Sequence, residues 1–249
     1  MIEILLKDQT TGKNIIWANN TEHEKEEITV EDIYSIEPRR EKNRELQKLR
    51  TKVRAEIFTP PDICAKQNNL IEADKKSWQD YIDAKYLEIT CGEAPYLVSR
   101  YNAVTGEPIP FDDRHGLLDR KLKFIKEQKL KPIIDCTRRA VQSIYGYEFQ
   151  GDNLFLARRN IFDTVAEFVY DKAPAKELKN FLSEVAEIIS WNLWQMDGRT
   201  NKIPYANTNL QSSFNFYGEK TEPQGEIFCK IMDWKNKQPK TFKSLLGGG

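Results

Sequence analysis

The sequence is poor in the residues that build metal sites and disulfide frameworks. It contains two histidines and four cysteines in 249 residues, and no two cysteines form a C-x-x-C pair. A zinc site needs ligands at closer spacing, so the composition argues against one. The four cysteines are widely scattered, and we expect them to be reduced thiols in a cytoplasmic protein.

Long apolar runs and a secretion signal are also missing. No stretch approaches the roughly 20 apolar residues that a membrane-spanning helix needs. The opening residues MIEILLKDQTTGK lack the basic region, apolar core and cleavage site of a signal peptide. With 39% hydrophobic and 31% charged residues, the composition predicts a globular protein with a real core and no membrane partner.

The zero net charge hides two basic stretches. Residues 38–54 carry eight Lys or Arg against two Glu, directly after an acidic stretch over 21–37. A second basic stretch spans 120–139. Either stretch could be the solvated face of a helix or a surface that contacts phosphates, and the absence of net positive charge weakens the second interpretation.

Hydrophobic spacing predicts an alternation of strands and helices. An apolar–polar alternation around the turn DQTTGKN predicts a small β-hairpin in the first 20 residues, and EIFCKIMDWKNKQPKTFKSLL predicts another around KNKQ. Residues 96–102 look helical, and two further helices are expected to be capped by Asp62 and Asp152. The remaining predicted helices cover 38–54, SWQDYIDAK, LLDRKLKFIKEQ, IIDCTRRAVQSI and AKELKNFLSEVAEI.

Three apolar strands between these helices end in TCGE, YEFQ and QMDG. Their alternation with helices predicts a parallel sheet with right-handed crossovers. All three carry a carboxylate at or just past the carboxyl end, where open α/β sheets bind ligands. Gly92 would let a ligand approach the backbone, Glu148 would accept ribose hydroxyls, and Asp197 would accept an adenine amino group. Each feature also has a structural interpretation, as a tight turn or a helix cap, so the residues alone indicate only a nucleoside-containing ligand.

Long phrases of the sequence resemble a known family. AEIFTPPDICAKQNN, YLEITCGEAPYLVSRYNAVTGE, YGYEFQGDNLFLARRNIF and ISWNLWQMDG occur in this order. Together they resemble the N-terminal part of restriction–modification DNA adenine methyltransferases of the N6 group, over residues 36–245. The resemblance implies a Rossmann-like α/β methyltransferase sheet, incomplete here, with a helical N-terminal extension and a C-terminal β-hairpin. It divides the chain into 1–54, a hairpin and basic helical region, and 55–249, a methyltransferase-like domain.

The resemblance also implies the cofactor S-adenosylmethionine and its contacts. In the family, an FTP phrase holds the methionine end, and the loop after the first strand wraps the methionine and sulfonium. The second strand ends in a carboxylate for the ribose with an aromatic residue beside the adenine, and the third strand contacts the adenine amino group. The corresponding residues here are Phe58, Thr59, Pro60, Glu88, Cys91, Gly92, Glu93, Glu148, Phe149 and Asp197.

One part of the family pattern is not found. The family ends its fourth strand in Asn-Pro-Pro-Tyr, whose Asn binds the amino group of the target adenine and whose aromatic ring stacks on the flipped base. The segments KIPY (202–205) and NKQP (236–239) do not match this motif. No catalytic residue is therefore assigned. Because the fourth strand of the family lies beside the first, we expect the Tyr86 strand to have an open edge that is covered by a partner chain, a second copy or a loop.

Three hypotheses follow from the sequence. The first is the cofactor-binding portion of an adenine-N6 DNA methyltransferase, inactive alone, either a split subunit or a truncated gene. Its partners would be DNA and a second chain that supplies the missing strand and catalytic motif, or a second copy in a homodimer. The second is a non-catalytic nucleoside- or DNA-binding protein, such as a relic, decoy or regulator. The third is a structural domain whose pocket binds nothing.

Overall fold

A parallel sheet of three strands lies at the centre of the chain, whose computed structural model describes residues 1–19, 22–54, 56, 59–71, 77–102, 104–205 and 227–247. Its strands are β1 (Tyr86–Glu88), β2 (Ile144–Glu148) and β3 (Leu193–Gln195), in the order β1-β2-β3. Leu87 is level with Tyr145, and Tyr147 with Trp194. The predicted α/β class and parallel sheet are confirmed.

Helices precede the sheet and connect its strands. Before β1 come α1 (Ile2–Leu6), α2 (Arg44–Arg54), α3 (Pro61–Ile71) and α4 (Trp78–Asp83). Between β1 and β2 lie α5 (Leu117–Glu127) and α6 (Ile133–Gln142), and between β2 and β3 lie α7 (Gly151–Val169) and α8 (Ala175–Asn192). The periodicity of α5 is confirmed, because Leu118, Leu122 and Ile125 are fully buried along one side of that helix.

The predicted C-terminal hairpin is also confirmed. β4 (Lys230–Asp233) pairs antiparallel with β5 (Gln238–Thr241), and the short helix α9 (Phe242–Leu246) follows. Asp233 stabilises the turn by accepting hydrogen bonds from Asn236 at 2.8 Å and from Lys240 at 2.6 Å. The hairpin thus ends in a short, locally bonded turn.

The two faces of the central sheet are covered by different elements. Ile144 and Leu193 belong to the main core, which they share with residues of α5 to α8. Tyr145 and Trp194 alternate with these residues along their strands and therefore lie on the opposite face. There they pack with the C-terminal hairpin, and the ring centroids of Trp194 and Phe242 are 5.1 Å apart. The hairpin is thus the cover of the second face.

The predicted N-terminal hairpin is wrong in its first strand. Residues Ile2–Leu6 form α1, and an isolated antiparallel bridge between Lys7 and Asn14 closes the turn that follows. Leu5 and Leu6 are consecutive and both buried against α7 and α8, which a strand with one exposed face would not allow. The division between 1–54 and 55–249 stays a prediction, although Leu5 lies in the main core with Ile144.

The predicted helix over 96–102 is also wrong. This segment forms turns, and Tyr101 makes an antiparallel bridge with Pro108. Its backbone groups bond outside the segment, because the Tyr96 and Leu97 carbonyls accept from Leu117 and Leu118 at the start of α5. Those long-range bonds use the carbonyls that a helix would need.

Several predicted boundaries moved. α3 begins at Pro61, so Asp62 lies inside its first turn, and α7 begins at Gly151 without a side-chain cap, so Asp152 is not its cap. The apolar run ISWN, predicted as strand, continues α8 to Asn192. Asn192 is buried there because its side chain donates to the Val141 and Ile144 carbonyls at 3.1 and 2.9 Å.

Arg158 offers a test of this packing, because its guanidinium is fully buried in α7. It donates hydrogen bonds of 2.6–3.2 Å to the carbonyls of Leu5, Lys7, Ser190 and Leu193. Arg158→Met would leave these buried carbonyls without a donor, so the free energy of unfolding is expected to fall by about 3 kcal/mol or more. Urea unfolding followed by circular dichroism measures this loss.

The next residue provides the matched control. Arg159 is exposed and lies 3.7 Å from Asp163. Arg159→Met is therefore expected to change the free energy of unfolding by about 0.5 kcal/mol or less. Equal losses in the two variants would contradict a structural role for the buried guanidinium.

Candidate functional site

The loop that follows β1, residues 89–96 and called the β1 loop below, has an unusual backbone. Thr90, Gly92 and Ala94 adopt positive φ angles of 48°, 54° and 63° at alternate positions. A β-branched residue such as Thr90 rarely accepts this conformation, so surrounding contacts must hold it. The Cys91 N–H donates to the Tyr147 carbonyl at 2.9 Å, and the Ala94 N–H donates to the Cys91 carbonyl at 2.7 Å. The loop is thereby folded back onto the end of β2.

Glu148, the last residue of β2, connects this loop to the start of α7. Its buried carboxylate accepts hydrogen bonds from the backbone N–H groups of Gly92 at 2.9 Å, Phe149 at 2.9 Å and Gln150 at 3.1 Å. Burial raises the pKa of Glu148, and the three N–H donors limit that rise. The Gly92 N–H uses one lone pair of Glu148 Oε2, so the carboxylate keeps acceptor capacity for a ligand hydroxyl.

Glu88 and Cys91 lie beside Glu148 at the same end of the sheet. One carboxylate oxygen of Glu88 accepts from the Tyr96 N–H at 3.3 Å. The other, Oε2, is buried and accepts no hydrogen bond from the described part of the chain. Burial raises the pKa of Glu88 to about 8. Burial also raises the pKa of the Cys91 thiol well above its ordinary value, which argues against a nucleophilic role.

Glu93 points away from these residues. Its Oε1 accepts from the Arg39 N–H at 2.7 Å, and its Oε2 accepts a hydrogen bond from the Tyr101 hydroxyl. Asn160 donates to its main-chain carbonyl at 3.1 Å. Both carboxylate oxygens are thus occupied within the protein. The side chain anchors the segment before α2 to the β1 loop.

Asp197 follows β3 and reaches the same end of the sheet as Glu148. The two are adjacent through the backbone, because the Met196 N–H donates to the Glu148 carbonyl at 3.0 Å. Asp197 is half-buried, and its Oδ1 accepts from the Arg199 N–H at 2.9 Å. Its second oxygen is not used in that bond. The three strand ends predicted to converge therefore do so.

Phe149 forms an aromatic pair that the sequence did not indicate. Its ring lies edge-on to Tyr205, with 5.7 Å between centroids. Tyr205 adopts a positive φ of 62°, and its hydroxyl donates to Glu24 at 2.8 Å. Tyr205 belongs to KIPY, a segment whose sequence indicates only a poor match to the catalytic motif of the family. No spacing signal links it to a residue 56 positions earlier.

The FTP segment lies at the start of α3. Phe58 lies outside the described residues. The Thr59 carbonyl accepts from the Cys64 thiol at 3.6 Å, and Pro60 is exposed. α3 is tied to the β1 loop by Asn68, which donates to the Tyr96 carbonyl at 3.0 Å. Thr59 and Pro60 therefore lie directly before α3, a helix that is attached to the β1 loop.

Behind these residues lies a buried ionic cluster that the sequence did not predict. Asp152 accepts from Arg50 at 2.8 and 3.1 Å and from Lys42 at 3.2 Å, and Arg50 also donates to Glu56 at 2.6 Å. Burial alone would raise the pKa of Asp152, but the positive charges of Lys42 and Arg50 outweigh it and leave the pKa below its ordinary value. The cluster fastens α2 to the first turn of α7.

No protein-family model, curated protein or solved structure matches the chain, so comparison with known proteins identifies no family. Within the described ranges, no group of three or more His, Cys, Asp or Glu side chains could hold a metal ion. No helix in that part of the chain is long and apolar enough to cross a membrane. Function must therefore be inferred from the residues of the site.

Glu88 makes stability depend on pH in a testable way. Its pKa is about 8 in the folded protein against an ordinary value of 4.5, so the native state keeps a proton that the unfolded chain releases between these values. The free energy of unfolding therefore falls as pH rises from about 4.5 to about 8, at up to about 1.4 kcal/mol per pH unit. Glu88→Gln, which stays neutral, is expected to exceed wild type by about 1 kcal/mol or less at pH 5 and by a few kcal/mol at pH 9.

Urea unfolding at pH 5, 7 and 9 measures this difference. Glu177→Gln, at an exposed position in the first turn of α8, makes the same substitution outside the site and serves as the control. A constant difference between wild type and Glu88→Gln across the pH range would contradict the raised pKa.

Proposed function

We propose that the chain is the S-adenosylmethionine-binding portion, or subunit, of a restriction–modification DNA adenine-N6 methyltransferase. One observation carries this proposal. Glu88, Gly92, Glu148 and Asp197 lie together at the carboxyl end of a parallel sheet of order β1-β2-β3, the end at which open α/β sheets bind nucleoside cofactors. The resemblance of the surrounding phrases to this family supports the same conclusion.

The residues present fit this cofactor. Glu148 retains acceptor capacity for a ribose hydroxyl, and Asp197 has an oxygen for the adenine amino group. Phe149 would lie against the adenine face. Oε2 of Glu88 has no hydrogen-bond partner in the described part of the chain, and a bound methionine ammonium would favour the ionised carboxylate, whose Oε2 would then accept a hydrogen bond from it. When bound, the cofactor would supply an electrophilic methyl group.

The remaining site residues would act through the backbone and the shape of the loop. Cys91 and Gly92 place the loop close to the ligand, and Glu93 anchors it because its carboxylate is already occupied. Phe58, Thr59 and Pro60 would close the methionine end. No residue of this chain is assigned to methyl transfer, because Asn-Pro-Pro-Tyr is not present in the sequence. The chain alone is therefore expected to bind without transferring.

A non-catalytic nucleoside- or DNA-binding protein is the second candidate. The same absence of the catalytic motif favours it, since binding needs only the strand ends described above. The two candidates differ in whether a partner completes the site. Methyl transfer to duplex DNA after a partner is added separates them.

We further propose that a strand from a second polypeptide covers β1, either a chain with the catalytic motif or a second copy. Within the part of the chain that the structure describes, β1 is the edge of its sheet, and Leu87 and Ile89 are 44% and 64% exposed. Leu87 also lines an adjacent groove of about 220 Å³, together with Tyr145, Trp194 and the hairpin. An open edge next to an apolar groove suits an added strand.

Calorimetry with S-adenosylmethionine tests the cofactor proposal. Wild type is expected to bind, and Glu148→Ala to lose about 1–3 kcal/mol, or 5- to 150-fold in affinity, because a ribose hydroxyl loses its acceptor. Glu148 also holds the β1 loop, so Asp197→Asn provides a second variant with a smaller structural role. Both folds are checked by circular dichroism, and Glu177→Gln is the control.

The outcomes of this calorimetry are distinct. No heat in folded wild type would remove the cofactor from the proposal. Unchanged affinity in folded Glu148→Ala would mean that another residue binds the ribose. Methylation of duplex adenine by the purified chain alone would contradict the expected inactivity.

Hydrogen exchange tests the open edge. The Tyr86 N–H points towards β2 and donates to the Ser143 carbonyl at 3.0 Å. The Leu87 N–H points to the other side of the strand, where no described residue accepts a hydrogen bond from it. The Leu87 amide is therefore expected to exchange much faster than that of Tyr86 in a monomer. Sedimentation measured on the same sample fixes the oligomeric state. Slow exchange at Leu87 in a monomer would contradict the open edge, and protection that grows with concentration would identify a second copy.

A further inference from the structure

α2 presents a stripe of cations that the described part of the chain does not neutralise. Arg44, Lys48 and Lys52 follow one another at four-residue spacing and therefore lie on one side of the helix, about 6 Å apart along its axis. All three are exposed. None forms an ion pair with a residue that the structure describes.

The second basic stretch behaves differently. Six of its eight cations are bonded within the protein, and three of these form ion pairs: Lys126 bonds Asp112 at 2.9 Å, Arg138 bonds Glu184 at 2.7 Å, and Arg139 bonds Asp83 at 2.6 Å. Two stretches with the same appearance in the sequence thus differ in the charge that they leave available. Of these two stretches, the one on α2 leaves a regular row of three cations available to an external anion.

The opposite side of α2 fixes where this stripe lies. Arg50 is buried and bonded to Asp152 in the first turn of α7, directly after Glu148 and Gln150. The segment before α2 is bonded to Glu93 of the β1 loop through the Arg39 N–H. The cations are therefore held next to the candidate cofactor site by two separate attachments.

The surface around the stripe is concave. Arg44, Lys48 and Lys52 line a shallow depression of about 440 Å³ with Arg39, Gln47 and Thr51. Gln47 and Thr51 already donate to the Lys42 and Gln47 carbonyls at 2.7 and 2.8 Å, so the cations supply the charge for any ligand. A row of exposed cations in a shallow depression suits a polyanion with evenly spaced charges.

We infer that the stripe formed by Arg44, Lys48 and Lys52 binds the phosphodiester backbone of duplex DNA and holds it beside the cofactor site. The choice of DNA among polyanions rests on the proposed function, whereas the anionic chemistry rests on α2 itself. Contacts of this kind position a nucleic acid without reading its sequence. A second exposed stripe on α2, formed by Leu46, Leu49 and Val53, would instead favour an anionic membrane surface, and this alternative is an outcome of the test.

Fluorescence anisotropy with a labelled duplex of about 30 base pairs, measured over a range of salt concentrations, tests the inference. The triple variant R44Q/K48Q/K52Q is expected to weaken binding at least about tenfold in low salt. The slope of log K against log salt concentration should become less steep by up to about 2.7, because each lost phosphate contact removes about 0.9 from that slope. The matched control K129Q/K176Q/K179Q removes the same charge from exposed lysines on other elements and should leave both quantities unchanged.

Each other outcome overturns the inference. Equal losses in the two triple variants would mean a non-specific charge effect, and no loss in a folded R44Q/K48Q/K52Q would place the DNA elsewhere. Binding to vesicles containing phosphatidylserine that is lost in the α2 variant, with no DNA binding in wild type, would assign the stripe to a membrane. S-adenosylmethionine calorimetry on the same variants should be unchanged, so failure of this inference is distinguishable from failure of the proposed function.

Discussion

The carboxylate of Glu148 connects the parts of the structure on which the candidate site depends. Its three backbone donors come from the β1 loop and from the start of α7, and its own carbonyl accepts from the residue after β3. A buried anion at a helix start is stabilised by the local dipole and by charge-assisted bonds. Separating these segments would leave buried polar groups without partners, so the three strand ends are held together.

The ionic cluster around Asp152 forms the next layer. It brings a basic helix into contact with the first turn of α7, although Arg50 and Asp152 are 102 positions apart in sequence. Burying these charges is costly, and the opposite charges and hydrogen bonds of the cluster offset that cost. The result is a fixed relation between a cationic surface and the carboxyl end of the sheet. Binding of a nucleoside and of a phosphate backbone would therefore occur on neighbouring parts of one rigid unit.

Among the described residues, no strand pairs with the outer side of β1. β1 pairs with β2 but lies at the edge, and the groove beside Leu87 is bordered by the C-terminal hairpin. Under the proposed function, strand ends that bind a nucleoside in a sequence without Asn-Pro-Pro-Tyr would separate binding from chemistry. The open edge and the missing motif both favour a partner that adds a strand and catalytic residues.

Local and periodic features of the structure could be predicted from the amino-acid sequence. Apolar spacing identified α5, α6, α7 and α8, turn residues identified the C-terminal hairpin, and the strand–helix alternation predicted the parallel sheet and the convergence of Gly92, Glu148 and Asp197. These features depend on neighbours in the chain or on a general rule of α/β connections, so a sequence reader has access to them.

The tertiary structure decided which partner each polar group takes. Asp152 was expected to be a helix cap but pairs with Arg50, and residues 2–6 were expected to be a strand but form a helix packed on α7 and α8. The carboxylate of Glu93 bonds Tyr101, a contact that the sequence did not indicate. It also distinguished the paired cations of 120–139 from the exposed cations of α2. Such choices depend on contacts between residues tens of positions apart, and no local pattern in the sequence records those distances.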